Sequence, residues 1–297
     1  MPQHTPDWYD AQYNNRARIP EHPAILQSWA DASAHALANL QGALDVAYGD
    51  DASERLDIFP ALRGGVDGAA PVLVYLHGGY WRTLDKRDQT FVAPAFVEAG
   101  ATVVIANYAL CPAVRIEHIV MQIVSAIAWV YRHIADYGGD PARIVVAGHS
   151  AGGHLAAMML ACEWPQVAPD LPADVVKAAL AISGLFELEP LRHAPFLAPD
   201  LKLTAASARR LSPSLMPAPR HGGQLAAVVG GDESEEFLRQ NALIALAWGH
   251  AVVTHCETVP GRDHMRVLRE LVDMDSRVHA IARELLGLPV TPLAEAA

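Results

Sequence analysis

Cysteine is scarce in this chain. Its three cysteines, Cys111, Cys162 and Cys256, are odd in number and widely spaced, which excludes a disulfide framework and fits a reducing, cytoplasmic setting. Long hydrophobic runs are missing as well: none reaches the roughly 18 residues that span a bilayer. The opening Met1-Pro-Gln-His-Thr-Pro-Asp-Trp-Tyr-Asp10 lacks the basic and apolar regions of a signal peptide, so no membrane partner is expected. Positive charge is in deficit. With 22 Lys and Arg against 33 Asp and Glu the net charge is −11, and no basic cluster interrupts it. A phosphate backbone would be repelled, and nucleic acid is not an expected partner. There is no G-x-G-x-x-G after the first strand and no phosphate loop. His149 and His154 are five apart, as are His250 and His255, which does not match a helical zinc pair. Neither a metal nor a cofactor is expected.

What is present is a globular composition, with 52% hydrophobic and 19% charged residues over 297 positions, ample for one α/β domain spanning 1–297. Residues 1–22 read as a polar, aromatic-containing arm, closed by Pro20 and Pro23. A helix is predicted from Ile25 to Leu40, completing an N-terminal arm and helix over 1–42. Short strands are expected around Leu44–Tyr48 and Arg55–Phe59, then a Gly-rich surface loop from Pro60 to Ala70. From Pro71 onward the pattern alternates. Strands are predicted at 72–76, 101–106, 144–147, 175–183, 224–229 and 251–259. Helices are predicted at 89–99, 116–137, 151–162 and 234–248, with a closing helix from about His264 to Leu286. Continuous β-branched strands alternating with helices indicate a mostly parallel central sheet covered on both faces. Residues 184–222 interrupt the series as a Pro-rich, cap-like insertion, and 291–297 read as a frayed end. The first 70 residues suit a lid, a homodimer contact or a simple brace.

One pentapeptide stands out. Gly148-His149-Ser150-Ala151-Gly152 follows the apolar run Arg143-Ile-Val-Val-Ala147 and precedes a helical stretch. This is the G-x-S-x-G elbow, in which small flanking residues permit a strained turn that lifts a serine above the end of a sheet. A serine hydroxyl needs an adjacent base, itself oriented by a carboxylate, and on such a fold the chain order is Ser, acid, His. Of the 14 histidines, His264 lies where that order requires, in the loop Val259-Pro-Gly-Arg-Asp-His-Met265 after the last strand. His149, inside the elbow, is expected to pack or hydrogen-bond locally. The acid should follow the strand ending at Val229, where Asp232, Glu233, Glu235 and Glu236 crowd one turn. Glu235 and Glu236 suit the first turn of the next helix. Composition leaves Asp232 and Glu233 open. An oxyanion hole requires the amide after the nucleophile, Ala151, and a loop after an earlier strand, here His77-Gly78-Gly79-Tyr80-Trp81.

With these motifs the chain resembles the α/β-hydrolase fold, and more narrowly the kynurenine formamidase (arylformamidase) branch, related to lipases and esterases with a His-Gly-Gly loop. The likeness runs from about residue 70 to 270. It includes His77–Lys86, Asn107-Tyr108, the elbow, Ser183–Leu191 and Leu211-Ser-Pro213. Glu233-Ser-Glu-Glu-Phe-Leu-Arg-Gln240 is similar to the family's acid segment, D/E-S-P-E-F-x-R-Q. Registering Phe237, Arg239 and Gln240 on that segment places the triad carboxylate on Glu233, where animal members carry Asp. The resemblance implies Ser150, Glu233 and His264 as the triad and the amides of Gly79, Tyr80 and Ala151 as the oxyanion hole. It implies a small-molecule acyl substrate, an aryl formamide; Tyr80 and Trp81, the candidate substrate-binding residues, suit stacking on its ring and equally suit packing in the core or receiving a small aromatic ester. A general carboxylesterase acting on small esters is the competing expectation. A non-catalytic receptor on the same scaffold is a remote one, since a fold does not dictate function.

Overall fold

The structure is a computed structural model that describes residues 4–62 and 68–290. The expected loop over 60–70 falls partly, and the expected frayed end over 291–297 wholly, outside the described residues. The strands are β1 (Ala43–Ala47), β2 (Arg55–Phe59), β3 (Ala70–Leu76), β4 (Thr102–Ala106), β5 (Gly139–His149), β6 (Val176–Ile182), β7 (Gln224–Gly230) and β8 (Val253–Val259). The helices before β4 are α1 (Pro6–Tyr13), α2 (Asn15–Arg18), α3 (His22–Asn39) and α4 (Ala93–Ala99). After it come α5 (Ile116–His133), α6 (Ala151–Leu160), α7 (Trp164–Val167), α8 (Ala198–Leu201), α9 (Ala205–Arg210), α10 (Glu235–Trp248) and α11 (Arg277–Leu286).

The strands form one sheet in the order β1-β2-β4-β3-β5-β6-β7-β8. β1 and β2 pair antiparallel, as do β2 and β4, and every pairing from β4 to β8 is parallel. This is the α/β architecture read from the alternating pattern. Because side chains alternate along a strand, β3 sends Val72, Val74 and Leu76 to one face and Leu73 and Tyr75 to the other. Helices α5, α6 and α10 cover the first face. In α5, Ile116, Ile119, Val120, Ile123, Ile127 and Val130 recur at helical spacing and are buried there. On the second face sit Trp29 of α3, Phe96 and Val97 of α4, and Val278 and Ile281 of α11.

Three expectations are corrected, and the polar arm gains elements that were not predicted. It carries α1 and α2: Thr5 Oγ1 accepts from the Trp8 amide to cap α1, and Asn14 Oδ1 accepts from Ala17 to cap α2. Its anchor is a single fully buried ring, Tyr13, edge-on to Phe237 of α10 at 5.8 Å. One anchor is too few to show as periodicity. The helix predicted from residue 89 starts as a 3-10 turn, Thr90–Val92, and becomes α4 only at Ala93, because Pro94 fits only a first turn. The closing helix predicted from His264 is broken into a 3-10 turn, Arg266–Leu271, and α11. Ser276 caps α11 by accepting from the His279 amide at 3.0 Å. The insertion over 184–222 is not irregular: it carries α8 and α9, and Leu185, Phe186, Leu188, Leu191 and Leu197 are buried in the core. Among the described residues no helix is long and apolar enough to cross a membrane.

Candidate active site

β5 runs directly into Ser150, whose backbone sits at φ 57°, ψ −116°. That region is rarely occupied by a residue with a Cβ and stores roughly 1–3 kcal/mol of strain. The surroundings hold it in place. The Ser150 amide donates to Ile182 O at 2.8 Å, and its carbonyl accepts from the His154 amide at 3.1 Å. The two elbow glycines are needed for close approach. A Cβ on Gly148 would lie 2.3 Å from the Gly152 carbonyl group, and one on Gly152 would lie 2.0 Å from Leu76 O. Helix α6 is thereby pressed against the end of β3, which continues into His77-Gly78-Gly79. The loop and the serine are neighbours: a Cβ on Gly78 would lie 3.3 Å from that of Ser150. The amides of Gly79, Tyr80 and Ala151 have no acceptor among the described residues. His77 is structural, stacked on Tyr108 at 4.1 Å, while the Tyr108 hydroxyl donates to His77 O at 2.7 Å.

His264 and the carboxylate converge from different loops. Glu233 Oε2 lies 2.6 Å from His264 Nδ1. Its Oε1 accepts from the Gly230 amide at 2.8 Å and from Ser183 Oγ at 2.5 Å. Asp232, its neighbour, is exposed and makes no contact with the imidazole. Of the two carboxylates that composition had left open, Glu233 is the one in contact with His264. Glu235 and Glu236 open α10, as expected, with Ser234 as its cap. Ser150 and His264 line the same cleft, with no hydrogen bond joining the hydroxyl to the ring. Such contacts often tighten only when substrate is present.

His149 does more than pack locally. Its Nε2 donates to the backbone carbonyl of His264, 115 residues away, at 2.7 Å, and the two rings lie 4.7 Å apart. Trp29 meets it edge-on at 6.3 Å. Burial, reinforced by the neighbouring His264, holds the His149 ring well below the ordinary imidazole pKa, so it is neutral with its proton on Nε2. His149 thus ties the elbow to the loop that carries His264. His149→Ala should lower kcat roughly ten- to a hundredfold by loosening that loop. His149→Gln, whose amide can still reach the carbonyl, should recover most of the loss, and steady-state kinetics on the two variants checks this.

The cleft has about 90 Å³ of internal space and is open at its mouth. Its walls come largely from parts of the chain that motif reading passes over. Asn14, Asn15 and Arg16 of the arm, Leu26 and Trp29 of α3, and Phe196 of the insertion all line it, with Tyr80, Arg82, Thr83 and Leu84 of the loop after β3. The arm is tied down by the Tyr80 hydroxyl, which donates to Tyr13 O at 2.6 Å, and by the Tyr13 hydroxyl, 2.5 Å from Glu236 Oε2. The N-terminal segment thus walls the cleft, a placement that the sequence pattern did not specify. Trp81 departs from expectation. It does not line the cleft but is fully buried, edge-on to His154 at 5.0 Å, with its carbonyl accepting from the Cys111 amide at 2.7 Å. Tyr80 and Trp81 both have positive φ, 52° and 55°, and this turn sends adjacent rings to different places, Tyr80 to the cleft and Trp81 to the core.

The BD-FAE family model matches residues 56–167, from β2 through α7. A kynurenine formamidase of Salmo salar is 31% identical over 255 residues, 83% of this chain and 83% of the salmon protein. The chain belongs to the α/β-hydrolase family of the kynurenine formamidases. The resemblance carried by the His-Gly-Gly loop and the elbow is thereby borne out, and membership of this family makes the chain a hydrolase. The esterase LipQ of Mycobacterium tuberculosis is 38% identical over 151 residues, 48% of this chain and 35% of LipQ. The crystal structure of a protein described as a thioesterase from Silicibacter sp. superposes with a TM-score of 0.80 at 28% identity, covering 94% of this chain and 98% of the other. That coverage extends the shared architecture to nearly the whole chain.

Proposed function

We propose that the chain is an arylformamidase working through a Ser150–His264–Glu233 triad and an acyl-enzyme. The observation that carries this reading is the 2.6 Å contact between His264 Nδ1 and Glu233, which leaves Nε2 as the ring's free face in the cleft that holds Ser150. Ser150 Oγ attacks the formyl carbon and passes its proton to His264 Nε2. The imidazolium is stabilised by Glu233, and the oxyanion by the amides of Gly79, Tyr80 and Ala151. Collapse of the tetrahedral species returns the proton to the departing aryl amine. Water, activated by the same imidazole, then hydrolyses the formyl ester of Ser150. Trp29, Tyr80 and Phe196 offer aromatic surface for the aryl group. The free thiols of Cys111, Cys162 and Cys256 support a reducing, cytoplasmic setting.

A carboxylesterase would use the same machinery, and the likeness to LipQ favours it as the second reading. Comparing kcat/KM for N-formylkynurenine and p-nitrophenyl acetate on one preparation separates the two. The arylformamidase reading expects the formamide to be the better substrate despite the greater intrinsic reactivity of the ester. A large preference for the acetate would retire it.

A further inference from the structure

We infer that Phe237 is a positioning residue of the hydrolase reaction, whose ring holds the His264 imidazole and stabilises the imidazolium formed when Ser150 gives up its proton. This inference rests on the proposed Ser150–His264–Glu233 triad and on neither substrate reading. It starts from a ring contact that the triad itself does not use. The centroids of the Phe237 and His264 rings lie 4.4 Å apart, with the planes tilted by 50°. That separation is within the roughly 6 Å over which an aromatic ring attracts a cation.

One turn of chain delivers both the carboxylate and the ring. Glu233 immediately precedes Ser234, which caps α10 by accepting from the Phe237 amide at 3.4 Å. Phe237 therefore follows Glu233 by about one helical turn. Glu233 Oε2 meets His264 Nδ1 at 2.6 Å, and the Phe237 ring packs on the same imidazole. Behind Phe237 stands Tyr13, edge-on at 5.8 Å. The Tyr13 hydroxyl is fixed in turn, donating to Glu236 Oε2 at 2.5 Å and accepting from Gln240 Nε2 at 3.2 Å. Both rings are fully buried, so the arm backs the ring that backs the base.

The energetic argument concerns a charge that exists only during turnover. A buried charge is costly unless it is compensated. The His264 side chain is 7% exposed, and among the described residues Glu233 is the one carboxylate within ion-pair distance of it. His149 also packs on the imidazole, at 4.7 Å, and burial keeps it neutral. The face of a phenyl ring carries partial negative charge, so Phe237 favours the imidazolium over the neutral ring. An interaction that strengthens as the transition state forms raises kcat rather than lowering KM. Phe237 is not among the residues lining the cleft, so a change confined to its ring leaves the substrate's surroundings in place.

The test replaces Phe237 with phenylalanines carrying one, two or three ring fluorines, which nearly keep its size and progressively weaken its negative face. Across the series kcat should fall stepwise, by about two- to thirtyfold in total, with KM and the melting temperature almost unchanged. Phe237→Leu, apolar but without a π-face, should lose at least as much in kcat. Both N-formylkynurenine and p-nitrophenyl acetate are assayed, and the decline should appear with each, since His264 becomes charged whichever acyl group is cleaved. A flat kcat across the fluorinated series would mean that the ring only fills space, and it overturns the inference even if Phe237→Leu is impaired. A loss confined to KM overturns it too. His264→Ala, measured alongside, judges the triad separately: substantial turnover in that variant would retire the base itself rather than its support.

Discussion

Ser150→Ala should lower kcat/KM by about 10⁴- to 10⁶-fold while the protein stays folded. The argument has two halves. The hydroxyl is the only group at the tip of the elbow able to form the acyl-enzyme, so its removal leaves only what binding and the oxyanion amides contribute. The backbone that presents it does not depend on Oγ. Ser150 is held by its amide on Ile182 O and its carbonyl on the His154 amide, and among the described residues Oγ makes no hydrogen bond to another protein group. An alanine inherits the same strained φ and the same contacts. Turnover assays with circular dichroism and thermal melts report both halves, and a fluorophosphonate probe should label wild type but not the variant. Substantial hydrolysis remaining in a well-folded variant would contradict the nucleophile assignment. Failure of wild type to take up the probe would instead favour the receptor reading.

Glu233→Gln should cost about 10⁴-fold in kcat with little loss of stability, through a change of tautomer rather than of position. In the native site Oε1 faces two donors, the Gly230 amide and the Ser183 hydroxyl, while Oε2 faces His264 Nδ1. A glutamine satisfies the two donors only with its carbonyl oxygen in the Oε1 position. Its amino group then points at Nδ1, which must accept, and the ring proton moves to Nε2. An imidazole protonated there cannot take the serine proton. Kinetics should show the loss in kcat, and the ring signals of His264 should report the switched tautomer. Asp232→Asn is the control. A large loss there, with Glu233→Gln active, would transfer the acid role to Asp232.

The elbow and the His-Gly-Gly loop are legible in the chain because their constraints are local. Gly148, Gly152 and Gly78 occur where a Cβ would strike neighbouring backbone or side-chain atoms, and a β-branched run followed by a helical one places the turn between them. The alternation of strands and helices predicts the parallel sheet for the same reason, since burial on both faces imposes a period on each segment. Even so, the breaks at Pro94 and Ser276 show that a hydrophobic period can run through a point where the backbone must stop.

The sequence by itself determined the architecture, the nucleophile candidate and the order in which acid and base follow it. Composition left two adjacent carboxylates open and the family resemblance pointed to Glu233; tertiary structure is what turns Glu233 toward His264. It also decided that His149 grips the loop carrying that histidine, that Trp81 faces inward beside an outward Tyr80, and that a polar arm closes the cleft. Each of these depends on which distant segments meet. A one-residue step along a turn swings a side chain from protein to solvent, and no local pattern records what lies 115 or 223 residues away.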